Sequence, residues 1–408
     1  MPDHTMSLPL CGKKESGFNG KIITTALTSE LTHHILRDST KIHIADVKRY
    51  NYLHGTHIEP LYSEEDCENA LSIIRGYSYN QKIFLNDNVY VQLLSSGHQA
   101  GSALIYLTYK GEYKDYHLLY CADMYYGDCP RAFTKSIENK TYKADVVILE
   151  STYANKKPHP KENPRVFLEE MIMEHVVKNK KQIFIPVFSM QRSTQIIKLL
   201  DEILKTNEAI KNANIPIYNC GKLTKLCHET IGKKEYEEFY DKQWLEDKDI
   251  FYNPCFGYIT EKQDLDRFVL NNNPKITLAS AGSCNAGMAN SIMESFIPNK
   301  TVKLMSCGYV FPESVLDRTI KNETRVTING VSKTKRMEYI GGIKNLSGHV
   351  DLENSIKFIK LFDQKKLKKV LIMHGNEDAR QCLKNRLEKE LKEDKQVSIM
   401  RYGQSIYL

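Results

Sequence analysis

The sequence predicts an α/β protein of more than one domain, and three observations carry that reading. The chain has 408 residues, too many for one compact core. Short β-rich apolar runs alternate with amphipathic stretches along its length. Ionisable side chains stand just after several of those runs, beside Gly or Ser, where an α/β sheet presents functional groups.

Taken in order, residues 22–25 read as a strand that leads into a helix through Leu36. Ser63 and Asp66 have capping-box spacing and start a helix that runs into residues 70–74. Residues 89–94, 103–107 and 117–121 read as successive strands, with Gly111 in the turn between the last two. Residues 146–149 are continuously apolar, as in a strand buried on both faces. Pro158, Pro160 and Pro164 then forbid regular structure and mark a domain boundary. A helix follows, then a strand at 182–187 and a helix–strand series through 275–279 and 302–305. The last of these strands, 370–373, ends at His374-Gly375, and residues 380–395 read as an amphipathic helix with a solvated basic face.

Lys and Arg number 57 against 50 Asp and Glu, a net charge of +7 that fits a polyanionic partner without demanding one. The ten cysteines are scattered singly with no CxxC pair, which argues against a zinc ribbon or a disulfide framework and for buried free thiols. Met1 to Met6 show neither a basic nor an apolar leader region, and no run approaches the ~18 apolar residues of a spanning helix. The expectation is a soluble, cytoplasmic protein.

The chemistry gathers at five positions. His98 lies in Ser96-Gly97-His98-Gln99-Ala100-Gly101, Asp123 follows Cys121-Ala122, and Glu150 precedes Ser151-Thr152-Tyr153. His349 lies in Ser347-Gly348-His349-Val350-Asp351, and His374 in Met373-His374-Gly375. Any one of these alone reads more simply as a polar residue opening a loop. Three imidazoles and two carboxylates at strand ends together suit a zinc or dizinc site, since both ligand types bind Zn²⁺ near ~2 Å.

The order and wording of these segments resemble the metallo-β-lactamase-fold hydrolases of the β-CASP group, both the prokaryotic RNA-degrading and the pre-mRNA cleavage-factor types. Asp3-His4 is similar to the end of the group's HxHxDH motif, and the segments around His98, Asp123, Glu150, His349 and His374 to its later motifs. Ile185-Pro186-Val187-Phe188, Ala279-Ser280-Ala281-Gly282, Asn285-Ala286-Gly287 and Cys307-Gly308-Tyr309 resemble the inserted domain. The resemblance implies a metallo-β-lactamase αββα sandwich, N-terminally incomplete, over residues 1–154 and 343–408, with an α/β β-CASP domain inserted at 155–342. It implies a zinc-dependent ribonuclease in which Asp3, His4, His98, Asp123 and His374 bind metal and Asp123 bridges two ions. Glu150 would orient His349 to give a proton to the leaving alkoxide, and Arg192, Ser280, Gly282 and Gly287 would contact single-stranded RNA. A homodimer or the subunits of a processing complex are the implied protein partners, with a nuclear location if the chain is a relative of the eukaryotic cleavage factors.

The resemblance also has gaps. Met1 stands where the motif has its second histidine, and the strands that precede the motif are missing. Ala122, Gln191 and Phe311-Pro312-Glu313-Ser314 replace commoner Gly or Gly-Thr residues. The expectation is that this chain holds about one zinc, at Asp3, His4, Asp123 and His374, while His98 and Asp123 alone hold none. Two histories fit: a shortened chain of an active lineage, or a non-catalytic relative that keeps an RNA-binding shell. A small-molecule metallo-hydrolase is the third reading, disfavoured by the inserted segment and by Glu150 with His349.

Overall fold

The structure is a computed structural model that describes residues 2–127, 134–156, 162–242, 250–251, 253–321 and 323–407, with side chains from His4 onward. The Asp3 side chain, part of the proline-rich boundary segment and Cys129 lie outside the described residues. Seventeen strands are described. They are β1 (Ile22–Thr25), β2 (Ile74–Tyr77), β3 (Ile83–Phe84), β4 (Val89–Ser95), β5 (Ala103–Lys110), β6 (Asp115–Tyr120), β7 (Val146–Glu150), β8 (Gln182–Pro186) and β9 (Ile217–Cys220). They continue with β10 (Phe256–Ile259), β11 (Ile276–Ala279), β12 (Val302–Cys307), β13 (Arg325–Ile328), β14 (Val331–Thr334), β15 (Glu338–Ile343), β16 (Lys369–Met373) and β17 (Gln396–Ile399). The chain divides into two compact units, one of residues 1–158, 234–245 and 348–408, the other of 159–233 and 246–347.

The first unit holds a seven-stranded sheet in the order β17-β16-β7-β6-β5-β4-β3. β17, β16, β7 and β6 run parallel, and β5, β4 and β3 continue antiparallel. One face is closed: Leu104, Leu119, Val147, Leu149, Val370 and Ile372 are fully buried against helices Leu352–Lys360 and Glu377–Glu390. The opposite face is more open. There Ile105 and Tyr109 remain 37% and 45% exposed, and Leu107, Tyr116, Leu118 and Tyr120 are half-buried. β1 and β2 form a separate parallel pair joined through helices Ala26–His54 and Glu64–Ser72.

The expected helix after β1 is much longer than predicted. It runs from Ala26 to His54, capped by the Thr25 hydroxyl, and stops only at Gly55, whose φ of 64° gives the left-handed turn. No Gly or Pro interrupts it, so propensity carries it past the buried face that ends near Thr40. The Ser63–Asp66 capping box is present, but the helix ends at Ser72 and Ile74 opens a strand. Ile73 caps the helix end and β-branched Ile74 opens the extended segment, a change that helical periodicity did not separate.

The second unit is built on an all-parallel sheet in the order β10-β9-β11-β8-β12-β15, with β8 and β11 buried along their whole length, and it also holds the antiparallel pair β13-β14. Parallel strands require crossovers, and helices supply most of them, which is why the central strands β8 and β11 are buried on both faces. The carboxyl ends of β8, β9, β11 and β12 share one edge and lead to Phe188, Gly221, Ser280 and Gly308. Of the ten cysteines, the nine described are free, and six of them are buried. No helix among the described residues is long and apolar enough to cross a membrane.

Candidate metal centre

Four loops of the first unit converge on Asp123, which lies just beyond β6 and is 8% exposed. The His98 loop is shaped by two glycines that no other residue could replace without strain. Gly97 has φ 67° and a Cβ there would stand 2.2 Å from the Tyr125 carbonyl; Gly101 has φ 80° and packs on Leu27 and Thr28. The Gly101 carbonyl accepts from the hydroxyls of Thr25 (2.6 Å) and Thr28 (2.8 Å), which ties this loop to the start of the long helix. His98, 4% exposed, donates from Nδ1 to the Gly348 carbonyl at 2.7 Å. A carbonyl only accepts, so Nδ1 carries the hydrogen and Nε2 presents its lone pair, 3.7 Å from Asp123 Oδ2.

His374 follows β16 with φ 53°, and Gly375 (φ 100°) lies so close to Ser151 that a Cβ would meet its Oγ at 2.8 Å. Its backbone carbonyl accepts from the Ser151 amide at 3.1 Å and the Ser151 hydroxyl at 2.5 Å, and its Nε2 reaches to 3.5 Å from Asp123 Oδ1. His4, in the short helix Pro2–Thr5, adds a third imidazole nitrogen, 3.7 Å from Asp123 Oδ2. Asp3 has its backbone in the same helix and its side chain outside the described residues.

Three nitrogens at 3.5–3.7 Å are too distant to be hydrogen-bond partners of Asp123. Two donors each ~2.1 Å from one tetrahedral ion stand ~3.4 Å apart, close to this spacing. Asp123 Oδ1 is moreover buried and has no hydrogen-bond partner among the described residues, an arrangement that a bound cation relieves. His4, Asp123 and His374 form one set whose ligand atoms lie within 4.8 Å of one another, and His98, Asp123 and His349 form another. The donor chemistry, imidazole and carboxylate, suits zinc. Cys121, two residues before Asp123, is no rival ligand: full burial, aided by the nearby Glu150 carboxylate, pushes its thiol well above its ordinary range.

Glu150 ends β7 with no exposed surface. Its carboxylate accepts from the Met124 amide (2.7 Å), the Thr152 hydroxyl (2.5 Å) and His349 Nδ1 (2.8 and 3.0 Å). His349 itself does not follow a β-run, contrary to expectation. It stands six residues past β15, on the loop before helix Leu352–Lys360, held by the Val350 amide on the Met124 carbonyl (2.9 Å) and by a bridge between Tyr153 and Asp351. The turn chemistry at the Asp351 N-cap, not strand periodicity, positions it. Its ring lies 4.8 Å from that of His98 and 5.9 Å, stacked, from that of His374. Thr152, the Gly348 carbonyl and the Met124 amide were missed in the sequence; only a threonine two residues after the acidic one hinted at the first.

The remaining site residues read from the sequence lie in the second unit. Ser280, Gly282 and Gly287 share the loop after β11, where a Cβ on Gly287 (φ 67°) would stand 2.8 Å from the Ser280 carbonyl. Arg192 opens helix Gln191–Thr206 and its Nη1 donates to Gln195 Oε1 (2.8 Å) and to the Leu346 carbonyl, beneath Gly308. Its guanidinium thus ties segments of this unit together.

Two family models match the chain, the Beta-Casp domain over residues 194–315 and the Zn-dependent metallo-hydrolase RNA specificity domain over 335–400. The chain carries two domains of the metallo-β-lactamase-fold β-CASP group. Its β-CASP relatives include Endoribonuclease YSH1 of Eremothecium gossypii, 24% identical over 392 residues that cover 94% of this chain and 48% of the relative. The Cleavage and polyadenylation specificity factor 73 of Drosophila melanogaster is 25% identical over 411 residues, 98% of this chain and 54% of that protein. An RNase J-like protein of Methanocaldococcus jannaschii is 26% identical over 345 residues, 81% of this chain and 74% of the relative. The chain therefore spans about half the length of the eukaryotic β-CASP relatives it matches.

Proposed function

We propose that the chain is a zinc-dependent phosphodiester hydrolase acting on single-stranded RNA, within RNA processing or degradation. The observation that carries the reading is the pairing around Asp123: imidazole nitrogens at ligand spacing on one side and the buried Glu150–His349 couple on the other. Asp123 would serve both metal positions, with His98 on the first and His4, His374 and Asp3 on the second. Zinc bound there supplies a Lewis acid that activates water and offsets the charge developing on a phosphoryl oxygen. His349, held through Nδ1 by an anionic carboxylate, keeps Nε2 for proton transfer, and Glu150 stabilises the imidazolium form that gives its proton to the leaving alkoxide. The loop edge after β11 in the second unit is the proposed RNA contact. By analogy with relatives named as endoribonuclease and cleavage factor, other processing subunits are the proposed protein partners.

The test is hydrolysis of a labelled single-stranded RNA with added Zn²⁺, beside a glutathione thioester as competing substrate. Metal-dependent RNA cleavage that disappears in Asp123→Ala is the expected result. Thioester turnover without RNA cleavage replaces this reading with a small-molecule hydrolase. Salt-sensitive RNA binding with no cleavage leaves an RNA-binding relative in its place.

A further inference from the structure

Thr152 stands between the two halves of the site. Its Oγ1 lies 2.5 Å from Glu150 Oε2 and 2.8 Å from His374 Nδ1. A hydroxyl has a single hydrogen, and an ionised carboxylate only accepts, so that hydrogen points at Glu150. The oxygen's lone pair then faces His374, and Nδ1 of that ring must be the protonated nitrogen. This leaves Nε2 bare, on the side where it stands 3.5 Å from Asp123 Oδ1. We propose that Thr152 is a positioning residue that fixes the metal-binding tautomer of His374, and that Glu150, through it, serves the metal centre as well as His349. The proposal rests on reading the Asp123 cluster as a zinc site. It adds a hydroxyl relay by which one carboxylate that touches no ligand orients one.

The same geometry makes a sharper demand on Glu150. The Met124 amide donates to Oε1, so a glutamine at this position would keep its carbonyl oxygen there and place its NH₂ where Oε2 now stands. That NH₂ donates to Thr152, the hydroxyl turns to donate to His374 Nδ1, and the hydrogen on His374 moves to Nε2, the wrong nitrogen for a ligand. A relay and a merely structural contact thus differ in what they predict.

Zinc affinity, measured by competition with a chromophoric chelator, reads the effect without any need for catalysis. Thr152→Val is expected to weaken zinc ~10–100-fold, the usual loss when a ligand's supporting partner is removed, and Thr152→Ser to restore it. Glu150→Gln is expected to weaken zinc as Thr152→Val does, while His349→Ala leaves it unchanged. In ¹⁵N spectra of the metal-free chain, the His374 signals, assigned by their loss in His374→Gln, should report the Nδ1–H form in wild type and Thr152→Ser only. Wild-type zinc affinity in Thr152→Val or Glu150→Gln, with circular dichroism showing a folded chain, overturns the relay. So does a Thr152→Ser chain as weak as the valine variant. Absence of RNA cleavage by wild type would instead remove the nuclease reading and leave this comparison standing.

Discussion

At the scale of single residues, the division of labour around Asp123 turns on which ring nitrogen each histidine keeps for its neighbour. His98 and His374 give Nδ1 to the protein and keep Nε2 for the cluster, and His349 gives Nδ1 to Glu150. That last bond separates a proton donor from a ligand in function although all three rings are close in space. His349→Ala is therefore expected to keep its zinc, by elemental analysis, and to lose ~10²–10⁴-fold in the rate of RNA cleavage, the usual share of a general acid. Zinc lost along with the ring would show that His349 is a ligand. Four of the five ionisable positions of this site were legible in the sequence because Gly or Ser adjoins them, and Asp123 because it closely follows an apolar run. Their hydrogen-bond partners were not, because a backbone carbonyl such as that of Gly348 and an amide such as that of Met124 leave no trace in residue identity.

Among the elements, the helices of the second unit bury a titratable group that the proposed chemistry does not use. His228, 1% exposed on helix Lys222–Ile231, bonds Ser193 Oγ through Nε2 (2.9 Å) and the Tyr258 hydroxyl through Nδ1 (2.8 Å), and stacks on Phe251. Burial lowers its pKa to about 3, whereas the unfolded ring titrates near ~6.5. Between those values the unfolded chain binds a proton that the folded one refuses, so stability is full above pH ~6.5 and falls as the pH drops, by up to ~1.4 kcal/mol per unit. Urea unfolding at pH 7 and pH 5 should show wild type losing ~2 kcal/mol more than His228→Gln; an equal loss in both would mean that another group sets the slope. Element types were mostly readable from periodicity, as for β4, β7 and β8, whereas ends were set by chemistry that periodicity does not carry. The long helix stops where Gly55 turns left-handed, not at Leu36 where its buried stripe weakens, and the next helix yields to β2 at a pair of β-branched residues.

For the whole molecule, two donor sets share one carboxylate, which makes metal stoichiometry a direct reading of how the site works. With His349 engaged by Glu150, native mass spectrometry should find about one zinc per chain, since a catalytic position ordinarily needs three protein ligands. Two tightly held ions, falling to one in His349→Ala, would assign that histidine to the metal. The seven-stranded sheet has a thermal consequence as well. Its closed face is dry, but the face bearing Ile105, Tyr109 and their half-buried neighbours is already wet in the native state, and apolar surface that is hydrated before unfolding adds nothing to the heat capacity gained on unfolding. The effect is confined to these side chains: Ile105→Ala should leave the heat capacity of unfolding, read by calorimetry, essentially that of wild type, whereas Leu104→Ala on the closed face should cost ~2–5 kcal/mol of stability.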